Sequence, residues 1–144
     1  MAGVGVGVAE GEAVTLQELK KKMAEFSRER DWEHFHSPRN LLLALVGAVG
    51  ELSEIFQWKG EVPRGLPYWN EEEKQHLGEE LSDVLLYLVR LSDVCGIELG
   101  KAAPRKLELN AIKYQVLVLY YSLLSELSTL SYVILGYRVT TSSI

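Results

Sequence analysis

From Thr15 onward, apolar residues return every three or four positions, which is the period of a helix face. Leu16, Leu19, Met23 and Phe26 form the first stripe, with Lys20, Lys21, Lys22, Arg28 and Arg30 elsewhere on the wheel. Thr15-Leu16-Gln17-Glu18 opens this stripe as a capping box, in which the Thr oxygen accepts an N-terminal amide while Glu18 reaches back. The first helix is expected to run to about Arg30, followed by an aromatic, polar link over residues 31–36. Ser37-Pro38 sets a capping hydroxyl before a proline whose missing N–H costs nothing at the first helical position. Over residues 39–57, Leu41, Leu42, Leu43, Leu45, Val46, Val49, Leu52, Ile55 and Phe56 cover more than half of the wheel, which predicts a largely enclosed second helix. Gly60, Pro63, Gly65 and Pro67 make residues 58–69 a loop. Asn70 with Glu73 caps a third helix, marked by Leu77, Leu81, Val84, Leu85, Leu88, Leu91 and Val94 and closed near Gly96. A fourth, over roughly residues 99–114, contains Pro104 and is expected to start late or to kink.

No stretch before residue 115 reads as a strand, so the fold class is all-α, a bundle of four main helices. The organisation is a flexible tail over 1–14, a helical domain over 15–114 and an apolar segment over 115–144. The Gly-rich start lacks the basic residues and continuous apolar run of a secretory signal, and the arginines of a mitochondrial presequence, so a cytoplasmic protein is expected. Residues 115–137 are mostly apolar with one charge, Glu126. Their length would span a bilayer, but an acidic residue at the centre costs about 2.5–3.5 kcal/mol, and an extra packed C-terminal helix is the plainer expectation. With 15 Lys and Arg against 20 Asp and Glu, the formal charge of -5 argues against nucleic acid as a partner. A single cysteine, Cys95, excludes an internal disulfide framework and a Cys-based zinc site.

The chemistry sits in two acidic pairs. Glu51 and Glu54 lie three apart on the second helix, and Glu80 and Asp83 three apart on the third, with 25 residues between the pairs. That spacing places each pair on one helix face, one turn apart. On Leu-rich helices, four carboxylates without a cation would be costly, and a hard divalent ion such as Mg²⁺ resolves the conflict. A solvated helix face is the commoner explanation of any single such pair, and it is two pairs on neighbouring Leu-rich helices that shift the balance. Trp32, Trp58 and Tyr87 suit either a core or the stacking of a nucleobase, and a lone His36 suits a cap or a binding site.

Three blocks carry a resemblance: residues 32–45 (WEHFHSPRNLLLAL), 50–58 (GELSEIFQW) and 79–89 (EELSDVLLYLV). In order and spacing they resemble the all-α, MazG-like nucleoside triphosphate pyrophosphatases, over roughly residues 15–114. The resemblance implies a helical homo-oligomer, dimer or tetramer, that uses Mg²⁺ to hydrolyse dCTP or a related (deoxy)nucleoside triphosphate to the monophosphate and pyrophosphate. It implies Glu51, Glu80 and Asp83 as metal ligands and catalytic residues, with Glu54 as a further candidate ligand. Trp32 and His36 would contact the nucleotide, Trp58 and Tyr87 would form the base pocket, and Lys106, Asn110, Lys113 and Tyr114 would meet phosphates and sugar.

The chain departs from the family at three places. Ala48 stands where the resemblance implies the first metal-binding glutamate, and Glu54 points about 120° away from position 48 on the wheel, a poor substitute. Weaker Mg²⁺ binding and reduced turnover are expected. Pro104 interrupts the helix that would deliver Lys106 and Asn110, and after Tyr114 the chain turns apolar where the family is polar and basic. The alternatives are therefore an impaired pyrophosphatase, a non-catalytic relative acting by nucleotide binding or subunit association, and a tail-anchored helical protein.

Overall fold

The computed structural model describes residues 13–140. All but the last two residues of the expected tail, 1–14, lie outside that range. Among the described residues there are four α-helices and no strand: α1 (Leu16–Glu29), α2 (Pro38–Gln57), α3 (Glu71–Val94) and α4 (Leu99–Thr140), with a single 3-10 turn at Glu33–Phe35 between α1 and α2. Residues up to Gly100 form one unit and those from Lys101 a second.

Local chemistry accounts for the helix ends. Thr15 Oγ1 accepts from the Glu18 amide while the Glu18 carboxylate accepts from the Thr15 amide, and Asn70 and Glu73 make the same reciprocal pair. These amide donors hold the Glu18 and Glu73 carboxyls below the usual range. Ser37 Oγ accepts from the Asn40 amide, with Pro38 at the first helical position. α3 closes in a Schellman motif: Gly96 has φ 67°, its amide donates to the Asp93 carbonyl, and that of Ile97 to the Ser92 carbonyl. α1 closes the same way with Asp31 at φ 54°, a conformation in which aspartate substitutes for glycine. The Asp31 amide donates to the Arg28 carbonyl and the Trp32 amide to that of Ser27.

In the first unit α3 is the central element, packed against α2 on one side and α1 on the other. The Lys20 ammonium lies 2.6 Å from the Glu98 carboxylate and fastens α1 to the segment after α3, which also raises the Lys20 pKa. Among the described residues the buried apolar side chains are few: Leu41, Ala48, Trp69 and Val89. The expectation of an enclosed α2 is corrected here. Leu42, Leu43, Val46 and Val49 are about half exposed, because among the described residues α3 is the main element packed on this helix and a stripe wider than half the wheel needs a second neighbour.

In the second unit the helix continues through Tyr114 to Thr140, so the extra C-terminal helix is an extension of α4. It also starts ahead of Pro104 instead of after it. In the second turn, the proline removes only the one bond that would reach Gly100. From Leu107 to Leu130 the apolar side chains described are exposed.

Leu41 is 2% exposed and touches a thin core, so Leu41→Ala is expected to cost about 2–5 kcal/mol, read as a lowered midpoint in chemical denaturation. An unchanged midpoint would show that Leu41 does not support the fold.

Candidate functional site

The Schellman turn after α1 does more than end a helix. It turns Trp32 back over Phe26, the two rings meeting edge to face at 5.6 Å, while the Arg30 guanidinium lies 3.5 Å from the centre of the Phe26 ring. Phe26 and Trp32 form one wall of a pocket of about 450 Å³. Leu19, Lys22, Met23, Phe26 and Ser27 line it from α1, Trp32, His36 and Leu41 from the turn and the start of α2, and Asp83, Leu86, Tyr87 and Arg90 from α3. The α3 contribution follows helical spacing, since positions 83, 87 and 90 fall on one face.

His36 is anchored in the pocket from both α1 and α3. Its Nδ1 lies 3.1 Å from Nε of Arg90 and 3.2 Å from Oγ of Ser27, which is fully buried. Arg90, 6% exposed, also donates from Nη1 to Asp93 at 2.8 Å and lies 4.0 Å from Glu33. Burial, and then the positive charge of Arg90, push the His36 pKa down, while Glu33 pulls the other way.

A second cleft opens where α2, the 58–70 loop and α3 meet. Glu51, Glu54, Ile55, Lys59, Trp69, Glu73, His76 and Glu80 line it. The Lys59 ammonium donates to Glu73 at 3.0 Å and sits 4.7 Å from the centre of the Trp69 ring. Oε2 of Glu80 is buried with no hydrogen-bond partner among the described residues, while its Oε1 lies 3.7 Å from His76 Nδ1. An orphaned carboxylate oxygen among further carboxylates is donor chemistry that fits a hard divalent cation. The donors have not converged: among the described residues no three His, Cys, Asp or Glu side chains stand close enough to hold a metal ion.

Of the expected site residues, Trp32, His36, Tyr87 and Asp83 meet in the pocket, while Glu51, Glu54 and Glu80 meet in the cleft. Asp83 thus lines the pocket and not the cleft, and Glu51, Glu54 and Asp83 are exposed, where four carboxylates on apolar faces were expected. Trp58 lies in neither lining and is 86% exposed. Lys106, Asn110, Lys113 and Tyr114 belong to α4 in the second unit, where Lys106, Asn110 and Lys113 share one helix face and the Lys113 ammonium lies 5.8 Å from the centre of the Tyr114 ring. Ser27, Phe26 and Arg90 were missed. Arg90 could have been found as a charge at helical spacing from Asp83 and Tyr87 within a Leu-rich stretch.

The fold is shared with a crystallised pyrophosphatase from Archaeoglobus fulgidus, 34% identical, with a TM-score of 0.57 over 72% of this chain and 95% of that one. The chain belongs to the all-α, MazG-like nucleoside triphosphate pyrophosphatase family. Among characterised proteins it is similar to dCTP pyrophosphatase 1 of Rattus norvegicus, 52% identical over 102 residues that make up 71% of this chain and 60% of the relative. The protein of that name from Homo sapiens is 52% identical over 100 residues, 69% of this chain and 59% of its own length. The chain thus spans about three fifths of the length of these relatives. No family profile matches it.

The depressed His36 pKa makes stability depend on pH. The unfolded chain takes up a proton near the ordinary value of 6.5 and the folded chain only below it. The stability is therefore fully present above that value and is lost as pH falls through the folded pKa. The charged groups facing this ring are Arg90 and Glu33, and Lys22 and Asp83 line the same pocket. Denaturation midpoints followed downward from pH 8 should fall below pH 6.5, and His36→Gln should flatten that slope. Equal slopes in both proteins would place the titration elsewhere.

Proposed function

We propose that the chain is a nucleoside triphosphate pyrophosphatase of reduced turnover, acting on dCTP or a related deoxynucleoside triphosphate in the cytoplasm to clear unwanted nucleotides. The observation that carries this reading is an aromatic pocket and an acidic cleft with an orphaned Glu80 oxygen, both supported by α3. Trp32 and Tyr87 offer faces and edges for a base, and His36 a polar contact to it. Trp58 would join them only with a ligand or partner to cover it. Lys106, Asn110, Lys113 and Tyr114 would meet phosphates and sugar, the lysines as point charges for phosphate oxygens.

Glu51, Glu80 and Asp83, with Glu54 as a further candidate, would hold Mg²⁺. When bound, the ion would supply Lewis-acid stabilisation of charge on the phosphate oxygens. This chain's own part is to place those carboxylates on α2 and α3, which pack against each other, and Ala48, buried in α2, contributes none. That absence favours a second reading, in which the protein binds nucleotide or associates with active subunits without turning substrate over.

Pyrophosphate release from dCTP, with and without Mg²⁺, separates the two. Metal-dependent release is expected from the unmodified chain, rising by up to about 100-fold in Ala48→Glu, the scale that misplacing reacting groups by an ångström costs. Release from the variant alone would leave the second reading. If neither protein releases pyrophosphate, the enzymatic reading fails.

The exposed apolar stripe of α2 supports association of copies into a dimer or tetramer. Sedimentation of the full chain should give one of those masses, and a monomer at micromolar concentration would reject the assembly.

A further inference from the structure

Arginine cannot accept a hydrogen bond, and its Nε always carries a proton. Nδ1 of His36, 3.1 Å from that group, must therefore present its lone pair, and the Ser27 hydroxyl at 3.2 Å is a second donor to the same edge. A neutral ring so held carries its proton on Nε2. We propose that Arg90 is a positioning residue that locks His36 as the Nε2–H tautomer, so that the pocket meets a nucleobase with a hydrogen-bond donor and selects a base edge bearing an acceptor oxygen or nitrogen.

Three observations support more than a packing role for Arg90. The guanidinium is itself held, since Asp93 takes its Nη1 at 2.8 Å, so Nε cannot swing away from the ring without breaking that pair. Ser27 and Arg90 are both buried, on opposite helices, and both converge on one ring nitrogen. Apart from Lys22 and Asp83, the rest of the pocket lining is mostly aromatic and apolar (Trp32, Phe26, Leu86 and Tyr87), a setting in which a fixed donor helps to decide orientation. An Nδ1–H ring would set a donor against the Arg90 donor and offer an acceptor to the pocket, which reverses the choice of base edge.

The choice of base edge rests on the nucleotide reading above, whereas the tautomer does not. The test uses the full chain labelled with ¹⁵N-histidine, with the His36 signals among the three histidines identified by their loss in His36→Gln. Without ligand at neutral pH, His36 should show Nε2 protonated and Nδ1 bare, and an Nδ1–H pattern or an imidazolium would overturn the proposal. In Arg90→Met the single tautomer should be lost, while in Ser27→Ala it should persist. The reverse pattern would assign the lock to Ser27 and overturn it, and if Arg90→Met does not fold, Ser27→Ala still decides, since loss of the tautomer there overturns the proposal.

The probe for the base edge is dCMP, with deoxyribose 5-phosphate as the baseless control. Addition of dCMP should shift the His36 Nε2–H signal, and Arg90→Met should weaken dCMP binding about tenfold while leaving the control unchanged. Binding of dCMP that leaves His36 unmoved overturns the donor role. Failure of the wild type to bind dCMP at all removes the nucleotide reading instead, with the lock already judged from the ligand-free spectrum.

Discussion

A guanidinium carried inside a small helical unit must be paired, and the pairing of Arg90 governs how α1, the turn after it and α3 meet. Asp93 supplies the charge from the next turn of the same helix, His36 supplies a neutral acceptor from the segment before α2, and Glu33 stands at 4.0 Å. Removing one partner of a buried pair costs about 3–5 kcal/mol, more than any cap in this structure contributes. The pocket is thus a consequence of satisfying a charge. Trp32 and His36 are drawn in because the chain between α1 and α2 must return to Arg90.

The parts of this arrangement legible in sequence are those set by neighbours along the chain. Both capping boxes, the Ser37-Pro38 start and the Gly96 stop rest on residues within a few positions of one another, and all appear where the sequence places them. The Asp31 turn was hidden because aspartate, unlike glycine, does not advertise a positive φ. A wide apolar stripe says how much of a helix wants cover, but not how many neighbours one chain supplies, which is why α2 is more open than its pattern implies. The division of the acidic residues has a similar origin. Glu80 and Asp83 are about 60° apart on the wheel, enough for a helix packed on both sides to send one into the cleft and the other into the pocket.

The thin core and the open α2 stripe point the same way. Four covered apolar residues are a small interior for the first unit, and apolar groups left half exposed along a helix gain most when another surface closes over them. The pocket does not share this incompleteness, since its anchor is made within one chain. The Arg90–His36 pair and burial of the α2 stripe are therefore separable properties of the protein.

Ala48 bears on the balance between folding and the cleft. Its side chain is buried on α2, one turn before Glu51. A glutamate there would begin from a covered Cβ and stand at i, i+3 to another carboxylate, a like-charge pair that destabilises a helix by about 0.2–0.5 kcal/mol before any burial cost. Alanine removes that repulsion and is the best helix former. Alanine also offers no oxygen that a cation could use, while Glu80 keeps an oxygen with no partner among the described residues. Stability without an ion and affinity for one thus move in opposite directions at this position. The residue favours a fold that stands without metal over a site that waits for it.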